Sequence, residues 1–173
     1  MNFRLHLFLG FAIACLFKVT AQEIIDFDDL YIDDNNLIHK TSNDSLFSGI
    51  CEKRRKNNHL VLEEYFENGI IKMAKYYYNG KKKIVSDSVI YNISKPFEYK
   101  TIYCFNLDSS LYEKESFDDD GKFILKEEFE NEKLIYSCQY NGKKKHGKEF
   151  CYSKDGEPLE FRYANGKKLK TKM

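Results

Sequence analysis

Along this chain apolar and polar side chains alternate with a period of two, and Asn-Gly and Asp-Gly cut the alternation at intervals. In the last repeat Leu159, Phe161 and Tyr163 fall on one face and Glu160, Arg162 and Ala164 on the other, the pattern of a strand with two distinct faces. The cutting dipeptides supply the positive φ that tight hairpin turns need. Gly69, Gly80, Gly121, Gly142, Gly156 and Gly166 are therefore the expected structural turn residues. Gly69 and Gly80 lie 11 residues apart, as do Gly121 and Glu132, whereas Glu132 and Gly142, like Gly156 and Gly166, lie 10 apart. Strands of about seven residues, roughly 23 Å long, fit between such turns. They are expected over 46–54, 59–66, 70–78, 122–130 and 133–140, with a glycine-free turn at Asn131-Glu132. The prediction is an all-β protein: an elongated, meandering antiparallel sheet of successive hairpin repeats, each unit touching mainly its neighbours.

Two stretches depart from the regular pattern. Residues 84–117 lose the glycine punctuation but keep the alternation, as in Tyr99, Thr101, Tyr103 and Phe105. They read as degenerate repeats rather than a second domain. Residues 22–45 are acidic and broken, with Asp26, Asp28, Asp29, Asp33 and Asp34. They read as a solvated N-terminal extension with a turn at 33–36 and a short strand 37–39. In the regular strands, Leu60, Leu62 and Phe66 oppose Val61 and Tyr65, and Ile71, Met73 and Tyr77 oppose Ile70, Ala74, Tyr76 and Tyr78. Lys81-Lys82-Lys83 reads as an exposed connection rather than a binding patch. Residues 169–173 form a tail.

Composition adds an address. Arg4 precedes an apolar run over 5–17, and Val19-Thr20-Ala21 then offers the small residues that a signal peptidase reads. Residues 1–21 are thus expected to be a signal peptide, with Gln22 as the mature start and the protein exported to periplasm, surface or medium. The run is too short for a good transmembrane helix, so no integral membrane segment is expected after cleavage. Ala12-Ile13-Ala14-Cys15 is a loose lipoprotein box, lacking the usual Leu and followed by apolar Leu16-Phe17. Removing the leader leaves 26 basic against 27 acidic residues, so no overall field draws nucleic acid. An aromatic share of 16 % without tryptophan agrees with strands. Cys51, Cys104, Cys138 and Cys151 would permit two bridges in an oxidising compartment. Irregular spacing, and the opposite phase of Cys138 and Cys151, favour small buried hydrophobes on strands.

Several boxes resemble the bacterial MORN-repeat variant family, whose members often carry an antitoxin-like label. They are Leu46-Phe47-Ser48-Gly49, Tyr65-Phe66-Glu67-Asn68-Gly69, Tyr78-Asn79-Gly80-Lys81-Lys82, the stretch from Tyr140 through Lys148, Tyr152 through Gly156, and Tyr163 through Lys168. The resemblance spans 46–168, departs at 84–117, and has Glu132 in place of a turn glycine. It implies a twisted sheet of hairpins used as a scaffold or contact surface. It is nearly silent about activity.

Residue chemistry points to no enzyme, no cofactor and no metal. His39, His59 and His146 follow the leader, and none stands in a spacing that forms a metal pair or a recognisable triad. Asp118-Asp119-Asp120-Gly121 invites a calcium loop, but that register puts Ser116 at the first ligand position and strand on both sides. Glu63-Glu64 and Glu127-Glu128 diverge to opposite faces of a strand. The expected function is a non-enzymatic, exported surface for an unknown protein partner or envelope component. Aromatics interleaved with lysines leave open a secreted glycan-binding or hydrolytic envelope module. An antitoxin-like partner of a toxin conflicts with the leader if that toxin is cytosolic.

Overall fold

The computed structural model describes residues 23–170; the expected leader, Cys15, Gln22 and the last three residues lie outside it. Its strands are β1 (Ile24–Asp26), β2 (Leu30–Ile32), β3 (Ile38–Lys40), β4 (Gly49–Arg54), β5 (Leu60–Glu67), β6 (Ile70–Tyr77) and β7 (Val85–Tyr91). There follow β8 (Tyr99–Phe105), β9 (Leu111–Phe117), β10 (Phe123–Glu130), β11 (Lys133–Asn141), β12 (Lys144–Tyr152), β13 (Pro158–Ala164) and β14 (Lys167–Lys168). A 3-10 turn, Phe27–Asp29, links β1 to β2. Strands β4 to β14 lie side by side in chain order, every neighbour antiparallel, and β1 adds a parallel edge to β4, giving one sheet of 12 strands. At about 4.8 Å per step that sheet extends roughly 50 Å across its strands. Residues 84–117 supply β7 to β9 without a break.

Local sequence explains the turns. Asn68–Gly69 (φ 51° and 74°), Asn131–Glu132 (48° and 65°) and Asn165–Gly166 (50° and 84°) share positive φ at both central positions, as a type I′ hairpin turn requires. Glu132 thus occupies a slot where a Cβ is strained. Gly142 opens the β11–β12 turn, and Gly121 and Gly156 close wider ones. In the last two a side chain braces the loop: Asp118 Oδ1 accepts the N–H groups of Asp120 and Lys122 at 3.0 and 2.9 Å, and Ser153 Oγ those of Asp155 and Glu157 at 3.2 and 3.1 Å. Gly80 differs from the expectation. It sits within the loop 78–84, closed by Tyr78 N–H to the Ile84 carbonyl at 2.9 Å, and its φ of 159° is close to extended. With β6 ending at Tyr77 and β7 beginning only at Val85, the connection is a seven-residue loop instead of a tight turn.

The tight glycine turns are also tied to the strand before their hairpin or to the residues that lead into it. The N–H groups of Gly69, Gly142 and Gly166 donate to the carbonyls of Phe47, Phe123 and Lys145 at 2.8, 3.0 and 2.8 Å. Backbone bonding of a repeat is therefore local.

The acidic N-terminal stretch is not a solvated extension over its described residues. Beyond β1, the strands β2 and β3 pair as a hairpin. Ile38 and Phe47 then join Cys51, Phe66, Ile71, Ala74, Val89 and Tyr91 in the buried core, with Ile25, Phe27 and Leu30 packed against it. The aspartates lie between these apolar residues, so one short segment stays wet outside and greasy inside. Burying Phe47 completely is worth about 1.5–3 kcal/mol. Ile71 and Ala74 share this core although simple alternation assigned them opposite faces. A bulge is the reason: Tyr65 pairs with Met73 but Phe66 with Ile71, which leaves Lys72 as the extra residue.

Beyond Asn92 the sheet has no second layer, and among the described residues there only Cys138 and Glu149 are buried. Cross-strand pairs stabilise this part instead. On one face Lys114 meets Glu127 at 2.8 Å; on the other Lys126 meets Glu113 at 2.8 Å and Glu128 at 3.7 Å.

Candidate functional site

An apolar groove of about 340 Å³ opens where the N-terminal layer meets the sheet. Phe27, Leu30, Tyr31, Ile32, Ile38, Glu64, Phe66 and Phe97 line it. Ile32, Tyr31 and Phe97 are 51, 40 and 38 % exposed, so the apolar lining reaches solvent. Phe97 is held there by its loop: Asn92 and Glu98 close the β7–β8 connection backbone to backbone at 2.8 Å, and Asn92 Oδ1 accepts Ser94 N–H at 2.9 Å. The cost is a φ of 69° at an aromatic residue, a conformation worth roughly 1–3 kcal/mol of strain. Its ring packs edge-on against Tyr91 at 6.4 Å. Strain of this kind accompanies functional positions often enough to mark the groove.

Glu64 is the groove's one carboxyl. It lies half-buried in the row Cys51–Glu64–Ala74–Val89, and among the described residues its side chain makes no hydrogen bond or ion pair. Burial pushes its pKa above the usual carboxylate range, with the more distant Lys53 opposing. Such a group gains from a cation or a donor arriving in the groove.

From the groove wall a ladder of rings crosses the sheet. Tyr91 contacts Tyr99 at 5.9 Å, Tyr99 contacts Phe117 at 6.0 Å, Phe117 contacts Phe123 at 5.7 Å and Phe123 contacts Tyr140 at 4.6 Å. A second cluster, Tyr103, Phe105, Tyr112 and Phe129, includes the stacked pair Tyr112–Phe129 at 4.8 Å. The chain matches no protein-family model and no curated protein.

Two buried glutamates have the opposite character to Glu64. Glu63 accepts from the Tyr65 hydroxyl at 2.8 Å, from the Tyr77 hydroxyl, and from Lys83 Nζ at 2.5 Å. Glu149 accepts from Tyr136 at 3.1 Å and from Lys145. Burial raises the pKa of both, but the lysine and tyrosine donors outweigh it and hold each below the usual range. Cross-strand register puts Glu149 beside Cys138 in line with Lys126, Glu115 and Ile102, and so on the Cys51 face; Glu63 lies on the other. Each face thus holds one buried carboxylate fixed by tyrosine and lysine donors. Satisfied buried charge of this type specifies packing rather than chemistry.

The other residues singled out by sequence are separated. Gly69, Gly121, Gly142, Gly156 and Gly166 lie in turns at the strand ends, Gly80 in a longer loop. His39 stacks on Tyr31 at 5.2 Å and lies between the Asp44 carbonyl at 3.0 Å and Asp33 Oδ2 at 3.2 Å. Asp44 first and Asp33 next raise its pKa, so it pins the N-terminal hairpin. His146 Nδ1 accepts Asn165 N–H at 3.4 Å. Asp119 and Asp120 pair with Lys100 and Lys95 at 2.8 and 2.9 Å. The four cysteines are free thiols, and Cys138 pairs across strands with Glu149 rather than Cys151. Burial pushes Cys51 up to about 12 and Cys104 to about 11, so neither is a thiolate at neutral pH. Among the described residues no group of three His, Cys, Asp or Glu is placed to hold a metal, and no helix is long and apolar enough to cross a membrane.

Sequence reasoning missed the groove. Pro96 marked a turn, but nothing in Ser94-Lys95-Pro96-Phe97 announces that Phe97 takes positive φ.

Proposed function

We propose that this is an exported, non-enzymatic interaction module whose groove takes an extended polypeptide segment with apolar side chains beside a basic one. The observation that carries the reading is the strained, solvent-reaching Phe97 over an unpaired Glu64. Apolar walls select apolar side chains, and the unpaired carboxyl selects a cation among them. Export rests on the leader-like residues 1–21, and N-terminal analysis finding Gln22 first would support it. The MORN-like boxes agree with a scaffold role. A toxin is one such partner if it meets this chain outside the cytosol.

The test is selection of ten-residue peptides on the chain from Gln22 onward. Peptides with a Lys or Arg next to apolar residues are expected to enrich. Their binding should weaken at least about tenfold in Phe97→Gly and in Glu64→Lys, on the scale of one lost charge-assisted contact. Phe97→Gly suits this purpose because it removes the ring while relieving the backbone. Binding indifferent to both substitutions would refute the reading. The aromatic ladder favours a second reading, a glycan stacked along Tyr99, Phe117 and Phe123. In that case Tyr99→Ala should abolish binding and Glu64→Lys should not.

A further inference from the structure

Two basic loops that are far apart in sequence meet at one end of the sheet. Strands β5 and β6 pair through Leu62 and Tyr76, so the start of β5 lies beside the end of β6. That register brings the β4–β5 turn against the loop 78–84. Between them is a cleft of about 460 Å³ lined by Arg54, Asn57, Asn58, His59, Leu60, Gly80 and Lys81 to Lys83. No carboxylate lines it. Arg54 is engaged by Glu52 at 2.7 Å and Lys83 by Glu63 at 2.5 Å, which leaves Lys81 and Lys82 uncompensated among the described residues.

The turn itself is braced to present donors. Asn57 Oδ1 accepts His59 N–H at 3.2 Å, which leaves the Asn57 amide group free to donate. Arg55 N–H donates to the His59 carbonyl at 2.9 Å, and Asn58, at φ 63°, closes the turn onto the Arg55 carbonyl at 2.8 Å. His59 Nε2 is buried and has no hydrogen-bond partner. A buried polar nitrogen left unpaired is costly, and native structures seldom retain one without a use. Two free ammonium groups and side-chain amide donors around a concave opening, with an unsatisfied imidazole nitrogen buried in its wall, suit an oxyanion site.

We infer that this cleft binds a phosphate group carried on a larger molecule, Lys81 and Lys82 neutralising its charge while the Asn57 amide orients its oxygens and the His59 ring, in the wall behind, senses its arrival. The cleft is wider than a phosphate alone, so the group's substituent is accommodated. A phospholipid headgroup and a phosphate-bearing envelope polymer present the same chemistry. The site lies away from the peptide groove and does not depend on it.

The experiment is an NMR titration of the chain from Gln22 onward with inorganic phosphate and with glycerol phosphate. Shifts are expected to concentrate at residues 54–59 and 80–83 and to include the His59 ring. Binding should weaken about tenfold or more in Lys81→Gln/Lys82→Gln, a change at exposed loop positions. Phe97→Gly should leave it unchanged. Vesicles of phosphatidylglycerol against phosphatidylcholine, beside a soluble phosphorylated glycan, then separate the two sources. Shifts spread evenly over the lysines of the chain, an unaltered affinity in the double variant, or no response to either phosphate would each overturn the inference.

Discussion

Strands β4 to β7 and strands β10 to β13 are built from similar boxes and turns, yet they are held in different ways. The first set lies under a second layer, with Phe47, Cys51 and Ala74 fully excluded from solvent. The second set has no covering layer, buries only Cys138 and Glu149 among the described residues, and relies on stacked rings and lysine–glutamate pairs, some shared with β9, such as Lys114–Glu127 and Tyr112–Phe129. Hairpin repeats alone therefore set the strand order but not the core. The core forms where an N-terminal segment outside the repeats, through Ile25, Phe27, Leu30 and Ile38, covers the inward residues of the first strands; that end of a quasi-linear sheet should then be cooperative, while the other stays a sum of neighbouring contacts.

The strongest way to break this comparison is to remove an anchor from each half. Phe47→Ala should cost about 3–5 kcal/mol in urea unfolding, because it opens a cavity at a fully buried core position. Phe129→Ala, at a half-buried position stacked on Tyr112, should cost roughly half of that. Equal losses would mean that the open half hides a core of its own.

Next in size are the adjacent carboxylates. Glu63, lowered by its lysine and tyrosine donors, contributes stability above its unfolded value of 4.5 that is lost as pH falls through its folded value. Glu64, raised by burial, behaves oppositely: its charged form disfavours the fold at neutral pH, and the penalty disappears as pH falls. Glu63→Gln should lower stability at pH 7 by about 1–3 kcal/mol and flatten the loss in acid. Glu64→Gln should raise stability at pH 7 and leave pH 4 unchanged. Thermal melts at the two pH values check both signs.

Much of this was legible in the residues, for physical reasons. Asn-Gly and Asp-Gly encode positive φ locally, so the order of strands and every glycine turn except Gly80 could be read directly, including the Asn131-Glu132 turn from its spacing alone. Bulges are not encoded in that way: Lys72 looks like any other strand lysine, and only pairing with β5 makes it the extra residue that turns Ile71 inward. Aspartates dominate residues 26–34 and conceal Phe27 and Leu30, whose burial depends on a sheet formed later in the chain. The groove and the basic cleft arise from register between distant segments, which no local pattern contains.

The smallest expected effect concerns the tight turn that carries glutamate in place of glycine. Glu132→Gly should relieve a positive-φ side chain and raise stability by up to about 1 kcal/mol, seen as a shifted urea midpoint with unchanged slope. An unchanged or lowered midpoint would mean that Glu132 is not strained.

Hydrogen exchange on the native protein and on Gly166→Val tests the two-region account most directly. Protection in the native protein should be highest in β4 to β7 and fall toward β13. The β-branched residue, placed where φ is 84°, should cost about 1–3 kcal/mol locally. Protection should then drop around residues 148–168, with residues 59–78 nearly unaffected. Uniform protection along the native sheet, or an equal loss at both ends in Gly166→Val, would contradict the account and establish a single cooperative core.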